Sequence, residues 1–139
     1  MAAEVFVDTS GLYALADRRD PSHSSAERCV ARLLKSDVGL VLTDYIIDEA
    51  STLAKARGGG YAAMQLLEIL DRSEAFRLVW IAQERFESAK SFFRKHADHD
   101  YSFTDCASFV VMQERRIRDA LTTDRHFAEA GFRPLLAVS

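Results

Sequence analysis

The sequence has little proline, little cysteine and no long apolar run, and each shortage narrows what the chain can be. Its 139 residues include two prolines and two cysteines. Cys29 and Cys106 lie far apart and match no metal-ligand spacing, so we expect a reduced, cytoplasmic protein. No apolar stretch approaches the roughly 20 residues that span a bilayer, and the N-terminus lacks a basic start followed by an apolar signal segment. We therefore expect no membrane association.

Charge of either sign is not in large excess. The net charge is -3 and the isoelectric point is near 5.8, whereas a simple nucleic-acid binder is usually basic. A cluster of acids that holds metal ions can nevertheless make the total negative while the surrounding surface stays basic. The length predicts a single domain over residues 1–139, and the 48% of apolar residues is ordinary for a globular protein.

Short apolar segments alternate with helical patterns along the chain. The predicted strands are residues 5–8, 39–43, 76–81, 119–124 and 134–138. The predicted helices are residues 10–18 with Ser10 as N-cap, 22–36, 44–57, 61–73, 84–96, 102–116 and 125–131. A glycine run at Gly58–Gly60 separates the third helix from the fourth. Apolar strands that alternate with helices predict an α/β fold with a parallel sheet covered on both faces.

Acidic residues stand where strands end or helices begin. Asp8 ends the first predicted strand, Asp124 ends the fourth, and Asp105 lies at the start of the helix that precedes the fourth. In the helix over residues 44–57, Glu49 falls at the edge of the apolar stripe, whereas Asp48 is expected in water. Because ligands of open α/β sheets bind at the carboxyl ends of the strands, four acids are predicted to converge there.

Each of these acids also has an ordinary structural interpretation. Asp8 could cap a turn, and Glu49 could be a solvated helix residue. Ser102 and Asp105 form an S-x-x-D capping pattern, and Asp124 could be the N-cap of the short helix that follows it. Only the convergence of four separate segments on one edge of the sheet favours a functional site.

Carboxylates that crowd into one site need a counter-charge. Two unit charges about 5 Å apart repel by roughly 3 kcal/mol at an effective dielectric constant of about 20. Hard oxygen ligands suit Mg²⁺ or Mn²⁺, and a divalent ion can activate water for attack on a phosphodiester. The acids therefore predict metal-dependent phosphodiester hydrolysis, with Ser10 and Thr104 orienting either the attacking water or a carboxylate.

Three blocks of sequence resemble the PIN-domain family, in the order in which that family has them. They are VFVDTSGLYAL, TDYIIDEASTLAKAR and YSFTDCASFVVMQERRIRDALTTDRHFAEAGF. Within the family, the chain resembles the VapC-like toxins of toxin–antitoxin modules. The resemblance implies a three-layer α/β/α sandwich with a five-stranded parallel sheet of order 3-2-1-4-5, and the activity of a Mg²⁺- or Mn²⁺-dependent endoribonuclease.

The resemblance also implies roles for particular residues and partners. The family's metal-binding acids fall on Asp8, Glu49, Asp105 and Asp124, and the hydroxyl beside the first acid is Thr9 or Ser10. An RNA substrate, a cognate antitoxin protein and a homodimer are implied in the same way. A non-catalytic RNA-binding or assembly module with this fold is the alternative function. An aspartyl-phosphate phosphatase is disfavoured, since it needs a D-x-D pattern and Ser10 stands two residues after Asp8.

Several further residues have two interpretations. His96, Asp98, His99 and Asp100 could bind a transition metal, but a polar loop between helices is the preferred reading. His23 and His126 are expected at the surface. Tyrosines that could line a partner groove, or simply pack in the core, are Tyr13, Tyr45 and Tyr61. Arginines that could contact an RNA backbone are Arg18, Arg19, Arg57, Arg115, Arg116, Arg118 and Arg125.

Overall fold

The structure, a computed structural model, describes residues 3–139, so residues 1 and 2 of the predicted single domain lie outside the described part. Its strands are β1 (Glu4–Val7), β2 (Gly39–Thr43), β3 (Phe76–Val79), β4 (Asp119–Leu121) and β5 (Arg133–Pro134). Its helices are α1 (Thr9–Ala16), α2 (His23–Lys35), α3 (Asp44–Arg72), α4 (Ala82–Lys95), α5 (Phe103–Arg115) and α6 (Arg125–Glu129). None of the described helices is long and apolar enough to cross a membrane.

The five strands form one sheet of order β3-β2-β1-β4-β5, and every pair is parallel. Phe6 in β1 pairs with Val41 on one side and with Ala120 on the other, so β1 is the central strand. Helices flank the sheet, and the predicted α/β/α sandwich and its strand order are therefore confirmed. This order brings the carboxyl ends of β1 and β4 side by side, as the convergence of the acids requires.

The core is built from the central strands and from α5. Phe6 and Phe127 stack with ring centroids 6.3 Å apart, and Phe109 meets Phe127 edge to face at 5.0 Å. In α5 every residue from Asp105 to Met112 is buried, in agreement with its apolar character on nearly all sides. A helix buried on all sides holds its first turn rigidly, which matters because Asp105 lies in that turn.

The first helix begins earlier than predicted. Its first residue is Thr9 and its N-cap is Asp8, so the prediction of Ser10 as N-cap is wrong. Ser10 Oγ instead donates a hydrogen bond to Asp8 Oδ2 at 3.0 Å. The helix also packs unusually close to the sheet, since a Cβ added to Gly11 would lie 2.0 Å from the Leu121 carbonyl oxygen. No other residue type fits at this position without moving α1.

The last two strands are shorter than predicted. Strand β4 ends at Leu121 rather than at Asp124, and the Thr122 hydroxyl that follows it donates to Asp8 and accepts from the Asp124 backbone N–H. Strand β5 covers Arg133–Pro134 rather than residues 134–138. The apolar residues after Pro134 still contribute to the core, since Leu136 is buried. Their hydrophobicity reflects burial, not strand pairing.

Helix α3 is two helical segments joined at Gly59. The backbone there has φ 76° and ψ -172°, a conformation that is open only to glycine at low energy. The first segment thus ends at the glycine run, as predicted, and the second begins directly after it. The bend at Gly59 separates Arg57, at the end of the first segment, from Tyr61, at the start of the second.

Candidate active site

The four acids singled out in the sequence line one cavity of about 430 Å³ at the carboxyl ends of β1 and β4. They are Asp8, Glu49, Asp105 and Asp124. They come from the start of α1, the middle of the first segment of α3, the start of α5 and the turn before α6. The fold therefore brings together acids that are as much as 116 positions apart, from 8 to 124.

Asp8 is the most deeply buried of the four, with 4% of its surface exposed. Thr122 Oγ1 donates to Asp8 Oδ2 at 2.8 Å, and Ser10 Oγ donates to the same oxygen at 3.0 Å. Burial nevertheless raises the pKa of Asp8 to about 6, and the negative charge of Asp105 adds to the effect. The backbone N–H of Asp8 donates to the Leu121 carbonyl at 3.2 Å, which fixes the carboxylate between β1 and β4.

Glu49 is held by the other hydroxyl residue of α1. Thr9 Oγ1 donates to Glu49 Oε1 at 2.6 Å, although Glu49 is otherwise exposed to the cavity. The two hydroxyls beside Asp8 therefore have different partners: Ser10 contacts Asp8, and Thr9 contacts Glu49. Asp48, the neighbour expected in water, is exposed as predicted. Glu49 is exposed as well, and it differs from Asp48 in its contact with Thr9 and in lining the acidic cavity.

Asp105 and Asp124 both carry out the capping roles that the sequence suggested. Ser102 and Asp105 form a complete capping box, and the Asp124 side chain accepts from the His126 backbone N–H at 2.9 Å. Each cap uses one carboxylate oxygen, Oδ2 of Asp105 and Oδ1 of Asp124, and the second oxygen of each has no hydrogen-bond donor among residues 3–139. Capping and ligand binding are thus compatible. Burial raises the pKa of Asp105, and the charge of Asp124 adds to it.

His126 completes this side of the cluster. Its Nδ1 lies 3.1 Å from Asp105 Oδ2 and 3.4 Å from Asp124 Oδ1. One ligand atom from each of the three residues lies within 4.8 Å of the other two. The predicted surface position of His126 is therefore wrong, and so is that of His23, whose side chain is largely buried with Nδ1 2.7 Å from the Ala14 carbonyl oxygen. The only sequence signal for His126 was its place two residues after Asp124.

Thr104 lies outside the cavity that contains the other acids, whereas Thr122, for which no role was predicted, contacts Asp8. Thr104, predicted to orient water or a carboxylate, lines a neighbouring pocket that it shares with Glu49 and Asp48. It does not line the cavity that contains the other acids, and a catalytic role for it stays a prediction. Thr122 was not singled out, yet it is fully buried and hydrogen bonded to Asp8. A threonine after an apolar strand has no pattern that distinguishes it from an ordinary strand residue.

The histidine-rich segment between α4 and α5 is an exposed turn at residues 97–100, flanked by stacked rings. His96 stacks on Phe92 at 4.1 Å, and His99 stacks on Tyr101 at 4.7 Å. Within the described part of the chain, the one cluster with metal-ligand spacing is that of Asp105, Asp124 and His126. The polar-loop interpretation of this segment therefore agrees with the structure.

The cavity fits a divalent cation. The donors that line it are hard carboxylate oxygens, which suit Mg²⁺ or Mn²⁺, and the His126 imidazole lies beside two of them, Asp105 and Asp124. Burial raises the pKa of both Asp8 and Asp105, so their charged forms lack sufficient counter-charge within the protein. A bound cation would supply that charge.

The chain matches the family model described as "PIN domain" over residues 5–133. It is 33% identical over 129 residues to the 23S rRNA-specific endonuclease VapC20 of Mycobacterium tuberculosis strain H37Rv, which covers 92% of this chain and 95% of that protein. It is 30% identical over 125 residues to ribonuclease VapC26 of the same strain, which covers 89% of this chain and 90% of that protein.

Solved structures resemble this one over nearly the whole chain. The crystal structure of Mycobacterium tuberculosis VapC20, described as a Sarcin-Ricin loop cleaving toxin, has a TM-score of 0.84 at 30% identity and covers 95% of this chain and 98% of that one. The structure of FitAcB from Neisseria gonorrhoeae has a TM-score of 0.63 at 14% identity and covers 94% of each chain. At that identity the second likeness concerns the fold alone.

Proposed function

The chain belongs to the PIN domain family, and from that membership and the geometry of the acids we propose that it is an endoribonuclease, the toxin of a toxin–antitoxin pair. We further propose that it hydrolyses RNA phosphodiester bonds with Mg²⁺ or Mn²⁺. The observation that carries the proposal is the meeting of Asp8, Glu49, Asp105 and Asp124 in one cavity. A non-catalytic RNA-binding module would not need this complete set of acids.

Different residues of the chain have different roles in the site. Asp8, Asp105 and Asp124, with His126 beside them, would hold the metal, which when bound supplies positive charge at the phosphate and lowers the pKa of the attacking water. Ser10 and Thr122 fix the orientation of Asp8. Glu49, which the resemblance places among the metal-binding acids, has one oxygen held by Thr9, so its Oε2 would be the atom free to take a proton from the attacking water.

Ribosomes containing 23S rRNA are the substrate to test first, because the name of one relative, VapC20, points to that RNA. The purified protein should cleave RNA in Mg²⁺ or Mn²⁺ and not in chelator. Glu49→Gln should lower the cleavage rate at least about 100-fold, since it removes a proton acceptor. The matched control is Asp48→Asn, which removes an exposed charge one position away and should stay within about twofold of wild type.

If both variants lose cleavage activity equally, the loss comes from removing a negative charge in general and not from removing the Glu49 carboxylate from the cavity. Full activity of Glu49→Gln would remove Glu49 from the mechanism. Binding of RNA without cleavage under any divalent metal would favour the non-catalytic alternative. The toxin role is tested separately: expression should arrest growth, Asp8→Asn should relieve the arrest, and a cognate antitoxin should co-purify. A homodimer is proposed from the family alone, and light scattering measures it.

A further inference from the structure

A single cationic side chain stands in the wall of the acidic cavity. Among the described residues that line it, Arg57 is the one lysine or arginine, against five carboxylates: the four acids and Asp20. Arg57 is exposed and makes no ion pair with a carboxylate of residues 3–139. Its guanidinium group instead lies over the ring of Tyr13, 5.2 Å from the ring centre. Its charge is therefore available to a ligand.

Tyr13, over whose ring Arg57 lies, is itself held in place. Tyr13 is buried, and its hydroxyl donates to the carboxylate of Asp17. Asp17 also accepts from the Arg19 backbone N–H at 2.9 Å and from its side chain at 3.3 Å. Arg57 lies in the last turn before Gly59, where a cation is favourable at a helix C-terminus. The guanidinium group thus lies over a fixed ring in the cavity wall while the side chain stays exposed.

A second pocket, of about 490 Å³, is lined by Gly58, the residue that follows Arg57 in the chain. Arg18, Arg19, Gly58 and Tyr61 line it. Tyr61 has 78% of its surface exposed and stands directly after the bend at Gly59. Asp17 also lines this pocket and pairs with Arg19, but Arg18 makes no ion pair among the described residues. The pocket therefore combines one unpaired positive charge with an accessible aromatic face.

This combination fits single-stranded RNA better than other ligands. A chain of net charge -3 with an acidic cavity repels a polyanion in general, and positive charge is needed where the strand enters. Unpaired bases stack on exposed aromatic rings while guanidinium groups contact the phosphates. Resting on the proposed function, we propose that Arg57, Tyr61, Arg18 and Arg19 form a subsite for the single-stranded RNA that flanks the cleaved bond, with Arg57 on a phosphate and Tyr61 on a base.

The test measures RNA binding apart from cleavage. A fluorescein-labelled single-stranded oligoribonucleotide is titrated into Asp8→Asn protein, and anisotropy is followed at several salt concentrations. Adding Arg57→Ala should weaken binding about tenfold and lower the salt slope by about one, the signature of one lost phosphate contact. The matched control Lys55→Ala removes an exposed cation two positions away that lies outside both pockets, and it should change binding less than twofold.

Tyr61 is tested in the same assay. Tyr61→Leu should weaken binding about five- to tenfold because the base loses its stacking partner, while Tyr61→Phe should bind like the parent. Met64→Leu, at another exposed position of the same helical segment outside the pocket, is the control and should have no effect. A fully paired RNA duplex should show no dependence on Tyr61.

The outcomes separate this subsite from the nuclease proposal. If wild type cleaves RNA while Arg57→Ala and Tyr61→Leu bind and cleave as their controls do, the subsite is refuted and the nuclease stands. If Arg57-dependent binding is found but no metal gives cleavage, the subsite stands and the nuclease proposal fails. Loss of a protein partner with RNA binding intact would assign these residues to a protein interface and overturn the proposal.

Discussion

Asp8 is the most deeply buried of the four acids, and its negative charge is stabilised by the hydroxyls of Thr122 and Ser10 and by the Thr9 backbone N–H. Its pKa of about 6, raised from 3.8 mainly by burial, means that the folded protein favours the protonated form. Between about pH 4 and pH 6 the folded state therefore holds a proton that the unfolded chain has released. The stability of the metal-free protein should fall as pH rises through this window and stay low above it.

Replacing this carboxylate should stabilise the metal-free protein. A difference of this size in pKa corresponds to about 3 kcal/mol. Asp8→Asn keeps an oxygen that can accept from Ser10 and Thr122, and so should be about 2–3 kcal/mol more stable than wild type at pH 7.5 and equal to it below about pH 4. Urea unfolding in chelator at several pH values measures this difference. A gain that does not change with pH would contradict the electrostatic cause, and the exposed Asp48→Asn should show no gain.

Single residues also show where sequence patterns stop being informative. The helical period separated Glu49 from Asp48 because it reports the direction in which a side chain points from its own helix. It says nothing about what other elements place opposite. Thr122 contacts Asp8 and His126 contacts Asp105 only because α5, β1 and β4 meet, so no local pattern could predict these two contacts.

At the scale of elements, the contact between α1 and β4 sets the position of the site. The Leu121 carbonyl leaves no room for a Cβ on Gly11, and the same helix carries Thr9 and Ser10. A methyl group at Gly11 must therefore move the helix as a whole. This displacement would separate Ser10 from Thr122, now 3.1 Å apart, and change the surroundings of Asp8.

Gly11 and Gly39 allow this argument to be tested, because an added Cβ would meet backbone at one and a side chain at the other. Gly11→Ala should cost more than about 3 kcal/mol, because the added atom meets backbone. Gly39→Ala also creates a short contact, 2.6 Å, but with the guanidinium group of Arg77, which crosses β2 to reach Glu4. Since that group is flexible and its ion pair is partly exposed, we expect a cost of about 1 kcal/mol or less. Urea unfolding at pH 7 measures both, and equal costs would contradict the difference drawn between backbone and side-chain contacts.

Element boundaries were the least predictable part of the fold. Helices α2, α4 and α5 begin and end within two residues of their predicted limits. The apolar periodicity of α2 and α4 extends over several turns, and the capping pattern of Ser102 and Asp105 marks the start of α5. Strands β4 and β5 were predicted too long, because apolar character reports burial and not whether the backbone forms ladder hydrogen bonds.

For the whole molecule, alternation of strands and helices was enough to predict a parallel sheet, but not the order of its strands. Order depends on which side each crossover connection takes, and this information came from resemblance to a family. With the order known, the position of the acids at one edge of the sheet follows from geometry. The convergence that looked weak for each acid alone is a property of the complete fold.

Metal binding should couple to the stability of the whole chain. A cation held by the cavity binds the folded state alone, so Mg²⁺ or Mn²⁺ at about 100 times its dissociation constant should stabilise it by about 2.7 kcal/mol, or roughly 8 °C in Tm. Because Asp8 must lose its proton, the affinity should fall as the pH drops below about 6. Thermal unfolding with titrated metal measures both effects. An equal shift for Asp8→Asn would contradict a metal site at this carboxylate.

The exposed turn at residues 97–100 divides the acids into two pairs. Asp8 and Glu49 precede it, and Asp105 and Asp124 follow it. A protease that nicks the backbone at this turn would yield two fragments, each with half of the charge needed to bind a cation. Neither fragment alone would be toxic, and co-expressed halves would regain activity only by reassembling, so the turn is a natural point at which to split the enzyme into a conditional, two-part nuclease.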